Sequence, residues 1–353
     1  MSFGTYVPGR KIKDFSIQGN FSHSYLAVDE NLGRVVAVKD IINSRVNGNV
    51  FEAFINELRL LTSSNTNRIA KVLYAGMCTD SKEKYRIVSE YYENGSLQEE
   101  IDAAEKSNAT LHMSRALEIV LYTCKALENL HKASVIHNDI KPSNILLDGA
   151  RLPVITDFGQ SAFLTTPFVD APQTYWKNVS PEYLSSGKIS LHTDIYQVGI
   201  LIFRLLCSKI FDDHANSLFA QDKTRVKFTT AITTGNFPDI RSIPIFVPSK
   251  LITIIKKCLL PNPLERYENI YDLKQNLESV VVYPVSFNFA TGILSGEING
   301  YPVEIHIINL ENGNFDIKVK RGTTWQHKHK AKNATTTQAR KHVAEVLDKL
   351  ARR

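Results

Sequence analysis

From His137 to Asp157 the chain places Asp139, Asn144 and Asp157 within 21 positions. The stretch reads HNDIKPSNILL and then, after a short interval, VITDFG. A fold that uses these groups together must bring two separate loops to one place. One short motif arises easily by chance, whereas two linked motifs at fixed spacing constrain the chain far more. A carboxylate able to orient a hydroxyl, an amide ligand and a second carboxylate ligand form the set that phosphoryl transfer requires around a divalent ion.

At 353 residues the chain has length for two or three domains and a substantial core. Its 43% apolar and 22% charged residues are ordinary for a globular protein. Met1–Asp14 is polar and mixed, without the basic-then-apolar order of a secretory leader. Ile195–Phe211, the most apolar helical candidate, is interrupted by Gln197, Arg204 and Lys209, so no membrane span is expected. Cys78, Cys124, Cys207 and Cys258 lie far apart with no CxxC pair, which suggests free thiols in a reducing, cytoplasmic setting. Charge is uneven: residues 318–353 carry 11 Lys/Arg against 2 Asp/Glu, a balance of +9 in a chain of +6. Any argument for nucleic acid or another anionic partner therefore rests on that tail.

Up to about Tyr92 the pattern is mainly strand. Arg34–Lys39 and Tyr85–Ser89 are β-branched runs, and between them Phe51, Phe54, Ile55, Leu58 and Leu61 recur at helical spacing over Val50–Leu61. From Ser96 helices dominate, with Ala116, Val120, Cys124, Leu127 and Leu130 forming one apolar stripe. Further helical material is read at Glu182–Leu184, Ile195–Leu206, Leu251–Cys258 and Ile270–Val280. After Val280 the pattern changes again. Residues 284–320 read as two or three strands, including Val303–Leu310, an Asn312-Gly313 turn and Phe315–Val319. Thr335 and Gln338 then form a capping box before a helix with Ala339, Val343, Val346, Leu347 and Leu350 on one face.

Residues 10–280 resemble the eukaryotic-type protein kinase superfamily, on motifs that can be taken one by one. HNDIKPSN and DFG are similar to its catalytic and metal-binding loops. The resemblance implies that Asp139 orients the attacking hydroxyl, Lys141 neutralises the moving phosphoryl group, and Asn144 and Asp157 hold Mg²⁺. Lys39 closes Val36-Ala37-Val38-Lys39 and is implied to hold phosphates, paired with Glu57, 18 residues later. Ile17-Gln18-Gly19-Asn20-Phe21-Ser22 falls where the family has a glycine-rich loop, with Gly19 alone remaining, and a plain hairpin is an alternative reading. Ser89, Glu90 and Tyr91 resemble the adenine-binding hinge, and Ala37 and Leu146 the residues that sandwich adenine. Leu61, His137 and Phe158 match an internal column, with Gly159 completing DFG. Glu182 in Ser180-Pro181-Glu182 and the distant Arg266 match a structural ion pair, and Asp194 the carboxylate that caps the catalytic loop. Asn138 departs from the family's usual arginine, which lessens the role of one activating phosphate. Thr165, Thr166, Thr174 and Tyr175 are candidate phosphosites.

The C-terminal tail, Lys328 to Ala334 followed by a helix with Arg340 and Lys341, is faintly similar to half of a double-stranded-RNA-binding domain. That likeness implies phosphate contacts from lysines near a helix N-terminus, with Trp325 as a stacking candidate. A solvated basic face on a small interaction or autoregulatory module is the alternative. The expected fold is α+β: a small β-rich lobe over about 10–91, a larger helical lobe over about 92–280, and a β-sheet and helix module over 283–353. The expected function is ATP- and Mg²⁺-dependent phosphorylation of protein Ser/Thr hydroxyls, including autophosphorylation. A pseudokinase scaffold and a kinase regulated by nucleic acid at residues 318–353 are the alternatives.

Overall fold

Val36 and Val38 alternate with Ala37 and Lys39 along one strand, and that period of two sets which face is buried. The computed structural model describes residues 4–5, 11–14, 22–31, 33–42, 68–78, 84–170, 176–220 and 225–352. Two units divide the chain: Met1–Gly95 with Leu146–Thr156, and Ser96–Ile145 with Asp157–Arg353.

In the first unit, β1 (Gly4–Thr5), β2 (Lys11–Asp14), β3 (Ser22–Asp29), β4 (Arg34–Ile42), β5 (Val72–Cys78) and β6 (Lys84–Glu90) form a sheet in the order β1-β5-β6-β4-β3-β2. Its buried face is Ala27, Val36, Val38 and Val88, packed by Tyr25, Leu73 and Tyr74. Arg86 clamps Asp40 across neighbouring strands with two bonds of 2.7 and 2.8 Å. The helix expected at Val50–Leu61, with Glu57 and Leu61, lies outside the described residues, as do Gly19, Thr174 and Tyr175.

The second unit is helical at its centre. Its first helix, α1 (Leu97–Lys106), starts at a capping box of Ser96 and Glu99. The expected stripe lies buried on α2 (Met113–Lys132), which leads into β7 (Val135–Ile136). Two short strands at the Leu146–Thr156 segment of the first unit, β8 (Ile145–Leu147) and β9 (Pro153–Ile155), pair with each other, while in the second unit β10 (Ala162–Phe163) lies on β7 and β11 (Val169–Asp170) on β12 (Lys188–Ile189). Of the remaining helices, α3 spans Pro181–Ser186, α4 Leu191–Ala220, α5 Val226–Thr233, α6 Ser249–Cys258 and α7 Ile270–Glu278. Cys207 breaks α4 with non-helical dihedrals of −150° and 43°. A Cβ on Gly199 would lie 2.7 Å from that of Cys258, so only glycine lets α4 and α6 approach this closely. Cys124, Cys207 and Cys258 are buried free thiols, and burial raises the pKa of each. Among the described residues no helix is long and apolar enough to cross a membrane.

The C-terminal segment builds a larger sheet than the two or three strands read from sequence. Strands β13 (Val285–Asn288), β14 (Ile293–Ile298), β15 (Tyr301–Asn309), β16 (Phe315–Arg321) and β17 (Thr324–Trp325) run in sequence order, and β18 (Ala331–Ala334) pairs with β16. The turn Asn299-Gly300 joins β14 to β15 with both residues at positive φ, 52° and 74°. Helix α8 (Thr336–Ala351) keeps the predicted capping box and buries Ala339, Val343, Val346, Leu347 and Leu350. Each large apolar side chain buried there contributes about 2 kcal/mol relative to exposure.

This sheet is joined to the helical body by a hydrogen-bonded seam. Thr110 N–H donates to the Phe287 carbonyl at 2.9 Å, and Phe287 N–H to the Thr110 hydroxyl at 3.0 Å. Phe246 and Phe287 stack at 4.8 Å. From α8 the Arg340 guanidinium donates to the carbonyls of Val247, Pro244 and Ile243 at 2.7, 2.9 and 3.2 Å. Arg340 therefore faces the helical body, and burial lowers its pKa. The phosphate contact suggested by its place beside Lys341 is thus not the role of its guanidinium here.

Candidate active site

The loop after β7 is held from beneath by α4. One Asp194 oxygen accepts the Asn138 N–H at 2.8 Å, and the other accepts the His137 N–H at 3.0 Å and faces His131 Nε2 at 2.8 Å. One turn along the same helix, Gln197 Oε1 accepts the Ile140 N–H at 2.8 Å. Its Nε2 donates to the Asn138 carbonyl at 2.9 Å and to the Asn178 carbonyl at 3.3 Å. Asn178 Nδ2 closes the circuit on the Ile140 carbonyl at 2.9 Å. These bonds satisfy a buried, non-repetitive backbone that has no ladder partners of its own. Asn138 sits at φ 60°, a left-handed conformation that asparagine tolerates better than most residues.

Asp139 is 4% exposed. Its Oδ2 accepts Lys141 Nζ at 2.7 Å and Asn144 Nδ2 at 2.8 Å, while Oδ1 is buried with no hydrogen-bond partner. A carboxylate oxygen left in that state is an acceptor awaiting a donor. Asn144 Nδ2 also donates to the Asp139 carbonyl at 3.0 Å, which leaves the amide oxygen as its ligand atom.

The second loop is brought to the first by several contacts. The His137 and Phe158 rings meet edge-on at 5.0 Å. Asn138 Nδ2 donates to the Gln160 carbonyl at 3.2 Å, and the Ser161 hydroxyl to the His137 carbonyl at 3.1 Å. Asp157, at φ 65° and ψ 78°, accepts the Gly159 N–H. Asp139, Lys141, Asn144 and Asp157 thus belong to one unit, with His137 and Phe158 between the two loops. Thr165 and Thr166 are exposed, and the Thr166 hydroxyl donates to the Phe168 carbonyl at 2.6 Å.

Glu182 and Arg266 form the expected buried pair, with two bonds of 3.0 and 2.8 Å. Thr193 donates to Glu182 at 2.7 Å, and Arg266 also serves the carbonyls of Leu260, Pro261 and His192. Burial alone would raise the Glu182 pKa, but Arg266 and Thr193 outweigh it and hold the carboxyl below its usual range.

In the first unit, Ala37 is in register with Ser89, Val36 with Glu90 and Lys39 with Ile87. Glu90 faces Arg34 at 3.5 Å and Lys71 at 3.8 Å, and Tyr91 is 39% exposed. Leu146 is half-buried, and the adjacent Leu147 N–H donates to the Gly95 carbonyl at 3.0 Å. Gln197 and Asn178 belong to none of the sequence motifs, although Gln197 lies one helical turn after Asp194 on α4. Its i, i+3 spacing from Asp194 on a helix is the signal that was available.

A sequence model of the protein kinase domain matches residues 17–277, and the chain belongs to that family. Among curated proteins it is similar to the serine/threonine-protein kinase PrkC of Bacillus subtilis (strain 168), at 30% identity over 74% of this chain and 39% of that protein. It is also similar to an Arabidopsis thaliana LEAF RUST 10 disease-resistance locus receptor-like protein kinase-like 2.1, at 31% identity over 66% of this chain and 38% of the relative. A putative receptor protein kinase of Zea mays, ZmPK1, is 35% identical over 56% of this chain and 24% of its own length. The chain spans less than two-fifths of the length of these relatives.

Proposed function

We propose that this chain is an ATP- and Mg²⁺-dependent protein serine/threonine kinase, with a catalytic domain over residues 10–280 and an appended module over 283–353. The observation that carries the reading is the Asp139 carboxylate. Lys141 and Asn144 fasten one oxygen, and the other is an unpartnered acceptor suited to a substrate hydroxyl proton. Bound Mg²⁺ would supply charge neutralisation to ATP. Asn144 and Asp157 are the residues proposed to hold it, since hard cations take oxygen ligands and few of them from protein. Lys141 offsets charge on the transferring group, and Lys39 with Glu57 is assigned to the non-transferred phosphates. Gly19, Ala37, Ser89, Glu90, Tyr91 and Leu146 are assigned to nucleotide binding.

Asn138 spans directly to Gln160 with a neutral bond where a cation would otherwise await a phosphate. Autophosphorylation at Thr165 or Thr166 is accordingly proposed to have little effect on turnover. Lys328, Lys330, Lys332 and Lys341 are exposed and are the groups through which residues 318–353 would meet nucleic acid. Such binding would weaken steeply with salt, and salt-independent binding would remove that reading.

The deciding experiment is transfer of radiolabelled γ-phosphate to a generic Ser/Thr substrate. Asp139→Ala should lower turnover by about 10²–10⁴-fold. Undiminished labelling by that variant, or none by the wild type with Mg²⁺ present, would leave the scaffold reading in its place.

A further inference from the structure

We propose that the edge of the C-terminal sheet formed by β16, β17 and β18 binds single-stranded nucleic acid, with an unpaired base stacked on Trp325; this rests on the reading of residues 318–353 as a nucleic-acid face. Val303, Ile305, Ile307, Ile317 and Val319 are buried, so the alternate residues Glu304, His306, Lys318 and Lys320 share the opposite face of the sheet. Trp325 joins that face, in register with Lys320 across β16 and β17. The His306 ring lies 5.0 Å from the indole at 60°, yet Trp325 remains 43% exposed. The indole thus has a fixed neighbour and still offers surface to a ligand.

Cations crowd the same edge. Residues 315–334 carry six Lys/Arg against one acid. Lys318 on β16, Lys328 and Lys330 in the turn between β17 and β18, and Lys332 on β18 are exposed. The acids of β15 and β16 are engaged: Glu304 faces His306 at 3.1 Å and Lys320 at 3.5 Å, and Asp316 accepts the Asn333 N–H at 2.8 Å. Glu297, the next acid on this face, lies further off on β14. An anionic chain is therefore the complement of this edge. Lysines alone would serve a duplex, a single strand or an acidic peptide alike, and the ring decides among them. Bases in a duplex have their faces covered by stacked neighbours, whereas an unpaired base has a face free for an indole.

Fluorescence anisotropy of the full chain with a labelled oligouridylate of about 12 nucleotides tests this, beside an RNA duplex of the same length and labelled poly-L-glutamate. Trp325→Ala should weaken the single strand about tenfold and leave duplex affinity unchanged. Trp325→Phe should keep single-strand affinity but lose the quenching of tryptophan emission that binding causes in the wild type. Replacing Lys328, Lys330 and Lys332 together with glutamine should reduce the slope of log affinity against log salt by about 2. Single-strand affinity unchanged in Trp325→Ala overturns the proposal, as does poly-glutamate binding as tightly as the single strand. Duplex binding without single-strand binding overturns it while leaving the nucleic-acid reading of residues 318–353 in place; binding of neither removes both. Should Trp325→Ala fail to fold, wild-type quenching and its loss in Trp325→Phe still decide, and absence of quenching overturns the stacking.

Discussion

Arg266 and Arg340 are two arginines of the same unit, each fixed by several acceptors, yet their surroundings differ in kind. Arg266 is fully buried against a carboxylate, with Glu182 accepting both arms of its fork and three carbonyls filling the rest. Arg340 is half-buried, and its bonds run to main-chain carbonyls of Ile243, Pro244 and Val247. One site balances charge with charge; the other balances it with dipoles. A charge pair is a strong, specific anchor whose disruption strands its partner, whereas a dipole clamp leaves only neutral groups behind. The first ties α3 to the chain that follows α6, and the second docks the module.

The comparison breaks most readily at Arg266. Replacing it with leucine leaves Glu182 buried and unpaired, and denaturant unfolding should report a loss of about 3–5 kcal/mol. The pair also carries a pH signature. The Glu182 carboxyl titrates below its ordinary 4.5 when folded, so the unfolded chain takes up that proton first. Its contribution is therefore present above about pH 4.5 and lost as pH falls through the folded value. Thermal melts between pH 6 and 3.5 should show a steeper decline for wild type than for Arg266→Leu; parallel declines would deny the pair that role.

A smaller effect is expected at Gln197, where alanine would unpair Ile140 N–H and the carbonyls of Asn138 and Asn178. A loss of about 1–3 kcal/mol should appear chiefly as lower kcat, with KM for ATP little changed. A change confined to KM would contradict a loop-positioning role. Smallest is Arg340→Ala, about 1–2 kcal/mol in stability with phosphotransfer retained, read by faster proteolysis at the seam near Tyr283. A loss as large as that of Arg266→Leu would erase the distinction between the two sites.

Much of the second unit was legible because its motifs pair side chain with side chain, or side chain with a loop of known composition. Asp194 under the catalytic loop and the Glu182–Arg266 pair are of that kind, as is the capping box of Thr335 and Gln338. Strands β13 and β14 were harder to find. Val285–Asn288 is short and polar at alternate positions, and Gly296 interrupts Ile293–Ile298, packing where a Cβ would lie 2.1 Å from the Pro284 carbonyl oxygen. The inward turn of Arg340 was invisible for a different reason. Its partners are backbone oxygens, which every residue carries, so no spacing announces them.

Residue identity and order were enough to place the chain in its family and to locate the two loops and the charged groups on them, because those motifs are short and contiguous in the sequence. Packing settled what identity left open: that Asp139 keeps one oxygen engaged and one unpartnered, that Gln197 rather than another polar residue ties the loop, and which way Arg340 faces. Those outcomes depend on distances of about 3 Å between groups far apart in the chain, and hydrogen bonds are that short-ranged.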